Sequence, residues 1–541
     1  MGAGLSDRLA HWLDRLAPAI VVVAVLAVFW PALGNQFVDW DDDMNVTENP
    51  RFRGLSPAHL RWMFTTVHGG HYQPLSWVSL ALDYRAWGMN PFGYHLTSVL
   101  LHAVNALLIY FLIRALLRRT DTRHVGAAAL AGALFFALHP LRVESVAWVT
   151  ARRDVLSGLF FLATVLAYLR MVDARSGRQL AWLGISLACF ACSLLAKAWG
   201  VPLPAVLLVL DVYPLHRLSR VPMRAVLEKL AYGLLAVAAT AMAVGMLREM
   251  AAARTLTQHG VVERIAQAAY GLCFYLWKTV LPVGLSPLYP LPPALDPCEP
   301  RFVACAVSVL VVTIGLVVLR RRAMPVLVAW LAYAILLFPL LGVLQLGPQL
   351  VADRYTYLAC MPWAVLLGAA MPRVNVSRAV PTLALIAVTL GVLTVRQVRV
   401  WHDSDALWEQ ALRVDAGNWV AYTNRAVLRE RRGDRRGALD DYTTALRYHA
   451  GYPLAWANRG TLRQELGDVR GAIEDLTMAT SLSPTDWRSW NNRGWARQMA
   501  GDLPGAVADY REALRVAPPD LPGRGQIAQN LAAAQGGADA R

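Results

Sequence analysis

Four aspartates lie within five residues near the N-terminus, in the run Asp39-Trp40-Asp41-Asp42-Asp43. A carboxylate in such a position can serve as a general base toward a hydroxyl group, or it can ligate a metal ion. Acidic groups at a membrane surface are costly unless they are solvated or used. Composition alone favours a flexible, solvated loop start, so a chemical role depends on what lies nearby.

Other ionisable residues lie close to the ends of apolar segments, and several of them are cations. They are His139, Glu144, Arg152, Arg153, Asp154, Lys197, Asp353 and Arg354. Arginine offers phosphate oxygens a planar fork of donors, and lysine offers a point charge. For each cation alone, snorkelling to headgroups or local ion pairing is the simpler explanation. As a set at one membrane face beside the acidic run, they favour a site for a polyprenyl phosphate.

Membrane helices are the elements predicted to position these residues. The chain is 56% hydrophobic and 16% charged, whereas about 25% of residues are charged in soluble proteins. The six cysteines are scattered and predict neither a metal cluster nor a disulfide framework. Because about 20 apolar residues can cross a bilayer, we predict about eleven spans, near 17–34, 94–117, 125–140, 146–169, 180–200, 200–214, 226–247, 302–319, 324–344, 354–372 and 378–397.

The distribution of positive charge predicts the orientation of these spans. A net charge of +15 would suggest nucleic-acid binding in a soluble protein. Here the arginines collect in short loops between apolar runs, which is the positive-inside pattern, so no nucleic-acid partner is expected. The N-terminus is then an uncleaved signal anchor in the cytoplasm. Parity favours segment 262–281 as re-entrant or in-plane, and it puts residues after about 398 outside the cytoplasm.

The chain is rich in alanine and arginine, and this amino-acid usage indicates a bacterial source. We therefore expect a multi-pass protein of the bacterial inner membrane. Long loops face the periplasm and short ones face the cytoplasm, so function is expected on the periplasmic side.

A period of 34 residues runs through the C-terminal part of the chain, and it predicts tetratricopeptide (TPR) repeats. Six columns carry identical residues in three copies: Asn424, Asn458 and Asn492; Arg425, Arg459 and Arg493; Gly433, Gly467 and Gly501; Asp434, Asp468 and Asp502; Ala438, Ala472 and Ala506; Ala445, Ala479 and Ala513. A TPR array presents a concave groove to peptides or proteins. We assign the asparagine column to that groove; the alternative is an array that only dimerises or braces the membrane part.

The predicted domains follow from these two patterns. Residues 1–398 form the transmembrane domain, in which 35–93 is the first outer loop. A linking and capping helix occupies 399–416, and three full repeats occupy 417–518. Residues 519–541 form a C-terminal cap and a polar tail.

Several segments together resemble a known family. The runs FVDWDDDMNVTENP, HYQPLSWVSLALDYRAWGMNPFGYHLTSVLLHAVNALL, LHPLRVESVAWVTARRDVLSGLFFL, SLLAKAWGVPLPAVLLVLDVYPL and ADRYTYL, followed by TPRs, resemble the transmembrane and TPR-repeat-containing O-mannosyltransferases and their bacterial relatives. The order of these blocks covers nearly the whole chain. The resemblance implies an all-α, GT-C-type glycosyltransferase domain that uses a lipid-phosphate-linked sugar.

The resemblance also implies roles for individual residues. Asp41 and Asp42 match the acidic pair of the first outer loop, with Asp42 expected as the base and Asp41 as the close second. Arg354 is expected to bind the donor phosphate. Lys197, Arg152 and His139 also fall on family positions, and Lys197 and Arg152 are expected to bind phosphate. His139, together with Glu144 and Asp353, is a candidate to bind sugar or acceptor. Bacterial relatives often have WHPL where this chain has YQPL, and AERKD where it has ARRD, which casts doubt on roles for Gln73 and Ala151.

The expected activity is an inverting transfer of mannose or another hexose from a polyprenyl-phosphate donor to a hydroxyl of a protein or glycan. Fixed cations can stabilise the departing phosphate, so neither a metal nor another cofactor is required. The membrane lipid donor and an acceptor protein held by the TPRs are the expected partners. The alternatives are a non-enzymatic TPR scaffold of a cell-envelope complex and a lipid or polysaccharide transporter.

Overall fold

The computed structural model describes residues 2–120, 125–249, 260–342, 347–371, 376–519 and 521–539, and these are predominantly helical, as predicted. The chain forms two compact units. The first comprises Met1–Pro287 and Leu295–Leu407, and the second comprises Leu288–Ala294 and Trp408–Arg541.

The first unit contains the apolar helices and the loops between them. Its helices are α1 (Gly2–Phe29), α2 (Pro57–Thr65), α3 (Pro74–Trp87), α4 (Pro91–Leu117), α5 (Val125–Ala137), α6 (Val143–Ala147), α7 (Arg152–Asp173), α8 (Ser176–Ala196), α9 (Leu203–Val212), α10 (Arg217–Arg220), α11 (Pro222–Glu249), α12 (Val261–Val280), α13 (Pro300–Val318), α14 (Arg320–Leu337), α15 (Thr356–Ala359), α16 (Met361–Ala370) and α17 (Val376–Val400). A short strand, Gln349–Val351, precedes a 3-10 turn at Asp353–Tyr355.

Within the described residues, eight helices are long and apolar enough to cross a membrane, or nine if one bent pair counts as a span. The prediction of about eleven is therefore too high. The segment 125–140 joins a second helix at a bend of 59°, where Pro140 follows α5. Helices α9 and α16 have only 10 residues each, which is about 15 Å and half of the hydrocarbon thickness. Segment 262–281, which the sequence predicts as re-entrant or in-plane, forms α12, and α12 is not among the eight helices that are long and apolar enough to cross a membrane.

The first outer loop is a folded layer. Helices α2 and α3 pack around a core that includes Phe52, Met63, Trp77 and Tyr94. The acidic run enters this layer, because Val46 belongs to the same core and Asp42 is only 1% exposed. A flexible, solvated loop start, the simplest reading of composition, is therefore wrong.

The second unit is an array of helix pairs. Its helices are α18 (Ser404–Val414), which begins in the first unit, α19 (Trp419–Arg431), α20 (Arg435–Tyr448), α21 (Pro453–Glu465), α22 (Val469–Leu482), α23 (Trp487–Met499), α24 (Leu503–Val516) and α25 (Arg524–Asp539). A two-residue strand, Tyr289–Pro290, also lies in this unit.

The repeat columns explain why each pair closes in the same way. The glycines of one column adopt positive φ, for example +87° at Gly467, where only glycine avoids a steric penalty. The next residue caps the second helix, as Asp468 does by accepting a hydrogen bond from the amide of Gly471 at 2.9 Å. Arg459 binds Asp475 through two hydrogen bonds of 2.8 Å, which joins the two helices of a repeat. Arg425 with Asp441 and Arg493 with Asp509 repeat the arrangement.

Candidate active site

Asp42 fastens the acidic loop to the segment that precedes α7. One carboxylate oxygen accepts hydrogen bonds from the amide of Thr150 at 2.8 Å and from its hydroxyl at 2.7 Å. The other oxygen accepts a hydrogen bond from the amide of Val38 at 3.1 Å. Burial raises the pKa of Asp42 to about 7, although these hydrogen bonds oppose the shift. Both oxygens are therefore occupied within the protein.

Asp41 differs from its neighbour in backbone and surroundings. Its φ is +65°, in the left-handed region that residues other than glycine seldom adopt. Such strain is typical of functional sites, where the surrounding structure imposes it. Its half-buried carboxylate interacts electrostatically with Arg153 and Arg354. Burial raises the pKa of the Asp41 carboxyl, and the two arginines partly oppose that rise.

Arg354 is held against a carboxylate on the other side of the site. Its backbone amide donates to Glu144 Oε2 at 2.7 Å, and its guanidinium forms an ion pair with Glu144 Oε1. The guanidinium carbon also lies 5.5 Å from the ring centroid of Trp148 and 5.1 Å from that of Tyr355. Glu144, predicted to bind sugar or acceptor, is 3% exposed and positions Arg354.

Lys197 is also paired. Its ammonium lies 2.5 Å from Asp154 Oδ1 and 3.0 Å from the ring centroid of Trp199. Asp154 accepts a further hydrogen bond from Ser145 Oγ at 3.2 Å. Arg354 and Lys197, the predicted phosphate ligands, are thus each paired with one carboxylate, Glu144 and Asp154 respectively.

Arg152 does not face this cluster. Its guanidinium lies 2.7 Å from Asp83 Oδ2, and it donates to Ser98 Oγ at 2.9 Å, to Ser79 Oγ at 3.0 Å and to the carbonyl of Tyr94. These acceptors use four of its five N–H donors, so its contacts favour a positioning role for Arg152 over the predicted binding of the donor phosphate. The reason is helical rotation, because adjacent residues of an α-helix point about 100° apart.

Arg153 occupies the place that was predicted for Arg152. It interacts electrostatically with Asp41, Asp154 and Arg354. Its Nη1 donates a long hydrogen bond of 3.3 Å to Gln73 Oε1, and its buried Nε has no hydrogen-bond partner among the described residues. The guanidinium thus retains donor capacity. The sequence places Arg153 in the set of charges at one membrane face without a role of its own, and the ARRD motif is the signal that could have identified it.

His71 was also missed. It lies in the outer loop and interacts electrostatically with Arg153, Lys197 and Arg354. The charge of Arg153, followed by desolvation and the charges of the other two cations, holds the pKa of His71 well below its usual value. A neutral imidazole therefore faces the cations. His71 lies two residues before Gln73, which occupies the position of the histidine in the WHPL motif.

The remaining predicted residues have other surroundings. His139 is 1% exposed, its Nε2 lies 3.0 Å from the carbonyl of Thr279, and its Nδ1 accepts from the amide of Leu141 at 3.2 Å. Both ring nitrogens are thereby used, so His139 positions the turn before α6. Asp353 is buried next to Arg354 in the chain and acts electrostatically on Arg142.

The chain after α17 runs beside the acidic loop. The carbonyl of His402 accepts from the amide of Gln36 at 2.8 Å, and Ser404 Oγ accepts from the amide of Asp39 at 2.8 Å. The indoles of Trp401 and Trp148 stack with centroids 5.6 Å apart. All these residues belong to the first unit. The segment that leads into the repeats is therefore anchored at the acidic loop.

An apolar cavity of about 460 Å³ lies among α4, α7, α9, α14 and α16. Its lining includes Leu112, Phe161, Val206, Ala332, Met361 and Leu366. Phe161 follows Arg153 by eight residues of α7, or about 12 Å along the helix axis. Of the helices that line the cavity, α7 carries Arg153 in its first turn, and α9 and α16 begin six and seven residues after Lys197 and Arg354.

In the repeats, the three asparagines of the predicted groove are all half-buried. Asn424 Nδ2 donates to the carbonyl of Val420 at 2.8 Å, and Asn492 Nδ2 donates to Thr461 Oγ1 at 3.1 Å. The second of these bonds links consecutive repeats.

The fold and the site define a multi-span membrane protein in which one aspartate of an acidic loop interacts with a cluster of cations, and whose chain continues into TPR helix pairs. The chain is similar to curated protein O-mannosyl-transferases: it is 39% identical to TMTC2 of Mus musculus over 205 residues, 37% identical to tmtc2 of Xenopus laevis over 163 residues and 31% identical to TMTC1 of Mus musculus over 232 residues. These matches cover 36%, 29% and 39% of this chain.

The matches span only 24%, 19% and 24% of the length of these relatives. No family model matches the chain. Among solved structures, ArnT from Cupriavidus metallidurans bound to undecaprenyl phosphate aligns with a TM-score of 0.40 and 14% identity, over 93% of this chain and 81% of ArnT. The first TPR of Spaghetti (RPAP3), bound to an HSP90 peptide, aligns with a TM-score of 0.22 and 20% identity over 23% of this chain and 96% of that chain.

Proposed function

We propose that this protein transfers mannose or another hexose from a polyprenyl-phosphate donor to a hydroxyl group of a protein or glycan acceptor. The observation that carries the proposal is the juxtaposition of Asp41 with Arg153, Arg354 and, through Asp154, Lys197. A base beside a set of cations suits a reaction in which a hydroxyl loses a proton while a phosphate departs. The similarity to protein O-mannosyl-transferases supports the same class of reaction.

Asp41 is the better candidate for the base, although the sequence favoured Asp42. The oxygens of Asp42 accept three hydrogen bonds within the protein, so a substrate hydroxyl would have to displace one of them. Asp41 is half-buried and interacts with the cations on which the donor phosphate would lie. In the transfer, the acceptor oxygen forms a bond to the anomeric carbon while its proton passes to Asp41. The bond from that carbon to the phosphate oxygen breaks, and the lipid phosphate leaves with the electron pair.

Arg153 is proposed as the main ligand of the donor phosphate. Arg354 and Lys197 are each neutralised by a carboxylate, whereas Arg153 retains donors. An arginine fork that keeps unused donors can bind two phosphate oxygens at once. The other two cations add positive potential where negative charge grows on the departing phosphate.

The apolar cavity is proposed to hold part of the lipid chain of the donor. Its lining is aliphatic and aromatic, and it lies in the helices that continue from the cation cluster toward the opposite membrane face. Each buried methylene of a lipid contributes about 0.8 kcal/mol to binding. No metal or further cofactor is proposed, because the fixed cations can carry out the electrostatic task.

The repeats are proposed to bind the acceptor on the periplasmic side of a bacterial inner membrane. Residues 401–404 lie beside the acidic loop, which supports an exit of the chain on the face that holds the site. Tethering an acceptor-binding module to the catalytic domain raises the effective acceptor concentration to about the millimolar range.

The test is sugar transfer by purified protein from radiolabelled polyprenyl-phosphate mannose to a peptide acceptor. Asp41→Asn is expected to lower turnover by at least about 100-fold, because the base is lost. Asp43→Asn is the matched control: the Asp43 carboxylate accepts a local hydrogen bond from the Met44 amide at 2.8 Å, and its charge raises the pKa of Asp41, so its loss leaves the Asp41 base ionised. Turnover by Asp41→Asn equal to that of Asp43→Asn would disprove the assignment, and no turnover by the unaltered protein would favour the scaffold.

A further inference from the structure

An apolar groove of about 570 Å³ lies between α1, α5 and α17 in the first unit. Two arginines, Arg396 and Arg399, line one end of it. The rest of the lining is aliphatic or glycine and includes Ala24, Val28, Leu134, Val388, Gly391 and Val395. The groove therefore combines an apolar channel with a positively charged end, and it shares no residue with the cavity proposed for the donor lipid.

The length of the groove matches one leaflet of a bilayer. Its lining spans residues 20–28 of α1 and residues 387–399 of α17. These stretches measure about 12 Å and about 18 Å along the helix axes, and half of the hydrocarbon core is about 15 Å. Trp401, two residues after Arg399, stacks on Trp148 of the candidate active site. The arginine end thus lies at the membrane face that holds this site.

The walls of the groove are open to the hydrocarbon of the membrane. Only 28% and 22% of the residues in the apolar windows of α1 and α17 are buried within the protein. Val388 and Val392 are both exposed at the groove. Gly391 keeps the floor deep, since a Cβ at this position would lie 3.3 Å from Val28 Cγ2. A hydrocarbon chain can therefore lie between the two helices with aliphatic contacts on both sides.

The two arginines lack counter-charges within the part of the chain that the structure describes. Both side chains are exposed, and neither guanidinium forms a hydrogen bond or an ion pair there. No acidic side chain lines the groove, and Asp403, four residues after Arg399, pairs with His402. Because residues three apart are neighbours on a helix, the charges of Arg396 and Arg399 repel each other. An anion at this end would relieve the repulsion and use the unoccupied donors.

We propose that the groove binds one anionic phospholipid of the leaflet next to the candidate active site, with an acyl chain between α1 and α17 and the phosphate on Arg396 and Arg399. Each guanidinium offers a fork of donors to phosphate oxygens. A phosphate diester whose headgroup adds no cation, as in phosphatidylglycerol, suits a lining with two positive charges. A zwitterionic headgroup would bring its own cation into that positive potential. The inference goes beyond sugar transfer and does not depend on it.

The dimensions of the groove favour a phospholipid over a polyprenyl phosphate. An acyl chain of a bilayer lipid fills one leaflet, as the groove does, whereas a long polyprenyl chain exceeds that length. The general attraction of basic residues to an anionic membrane surface depends on charge alone. A bound lipid depends on charge and on the shape of the groove, so the two explanations can be separated by changing each in turn.

Full-length protein in a neutral detergent, freed of native lipid, is titrated with dioleoyl phosphatidylglycerol or with dioleoyl phosphatidylcholine. Bound lipid is counted by native mass spectrometry, and the thermal unfolding temperature is followed in parallel. Each basic residue strengthens binding to anionic lipid about fivefold, so phosphatidylglycerol is expected to bind at least about tenfold more tightly and to raise the unfolding temperature. Equal binding of the two lipids would overturn the inference.

The charge is tested with the double variant Arg396→Gln and Arg399→Gln. It is expected to weaken binding of phosphatidylglycerol at least about tenfold and to leave that of phosphatidylcholine unchanged. The matched control is Arg118→Gln with Arg170→Gln, which removes two exposed arginines near the C-terminal ends of α4 and α7. This control has the same net charge and is expected to keep the preference. Its loss in both double variants would show a non-specific effect of net charge and would refute the site.

The shape is tested with Ala27→Phe, which places a ring in the groove from an exposed position of α1 and leaves both arginines in place. It is expected to weaken binding of phosphatidylglycerol at least about tenfold. Val23→Phe is the control, because Val23 is exposed on the same helix but does not line the groove. Full binding by Ala27→Phe would mean that charge alone attracts the lipid, and the groove would then have no part in it.

Three results would assign the groove to another occupant and overturn the inference. The first is displacement of phosphatidylglycerol by undecaprenyl phosphate at a lower concentration, which would make the groove a donor site. The second is an equal rise in unfolding temperature with inorganic phosphate alone. The third is a dimer in sedimentation that Ala27→Phe dissociates, which would show that a second copy of the chain covers the groove.

Discussion

The neighbours Arg152 and Arg153 should give opposite phenotypes when each is changed to glutamine. Within the part of the chain that the structure describes, Arg153 donates one long hydrogen bond of 3.3 Å and its Nε has no partner, so the protein itself makes little use of its donors. If it binds the donor phosphate, its loss removes about two charge-assisted hydrogen bonds, or about 3 kcal/mol. That corresponds to about a 100-fold fall in kcat/KM, with the free energy of unfolding changed by less than about 1 kcal/mol.

Arg152→Gln should act on stability. Arg152 is 0% exposed and lies 2.7 Å from Asp83, which would remain as a buried carboxylate without its partner. Breaking such a pair costs about 3–5 kcal/mol. Transfer from labelled polyprenyl-phosphate mannose gives kcat/KM, and thermal unfolding of the same preparations gives stability. The reasoning is refuted if Arg153→Gln unfolds readily at normal kcat/KM while Arg152→Gln is stable and inactive.

Two further predictions concern pH and the repeats. Burial raises the folded-state pKa of Asp42 from 3.8 to about 7, so the folded state binds this proton more tightly than the unfolded state. The stabilisation from Asp42 is therefore present below about pH 4 and is lost as the pH rises to 7. Thermal unfolding temperatures of Asp42→Asn, measured over this pH range, should lack this part of the pH dependence. A pH profile equal to that of the unaltered protein would contradict the raised pKa of Asp42. In the repeats, Arg459→Ala removes two hydrogen bonds from the buried carboxylate of Asp475, which keeps Arg463 at 3.2 Å, and should cost about 2–3 kcal/mol. Arg470→Ala, at a side chain 92% exposed, should cost less than about 0.5 kcal/mol. Resistance of the repeats to proteolysis measures the stability of both variants. If the two variants are cleaved equally fast, the Arg–Asp pairs are not what joins the helices of each repeat.

The elements that the sequence predicts well are those whose pattern is local. The eight long spans appear as uninterrupted apolar runs, and the repeats appear as columns at a fixed period. The short helices α9 and α16 were overcounted as spans, because an apolar run shows composition and not where the helix begins. Pro202 and Pro362 stand at their starts, and the loops before them are apolar enough to extend the run.

The site was predictable in composition but not in orientation. The acidic run and Arg354 could be identified from residue types alone. The choice between Arg152 and Arg153 depends on the rotation of α7, and that rotation is set by Asp83 on α3, about 70 residues earlier in the chain. The choice between Asp41 and Asp42 depends on one positive φ at Asp41 and on Thr150. Neither contact leaves a periodic signal in the sequence.

Trp148 connects three parts of the site that are distant in the chain. Its Nε1 donates to the carbonyl of Trp40 at 2.9 Å, next to the proposed base. Its ring lies 5.5 Å from the guanidinium of Arg354 and stacks on Trp401 with centroids 5.6 Å apart. A change at Trp401, which touches no substrate, should therefore reach both the acid and the cation.

Trp401→Leu is predicted to lower the rate of sugar transfer at least about tenfold, because a displacement of about 1 Å at reacting groups can cost 100-fold. Trp330→Leu is the matched control: Trp330 is also buried, at 3% exposed, but its Nε1 bonds Thr313 at 3.1 Å within the membrane helices. Both changes remove a buried indole and should lower thermal stability to a similar degree. If the two variants lose activity equally, the effect of Trp401 is one of stability alone, and the link from the linker segment to the acidic loop carries no functional information.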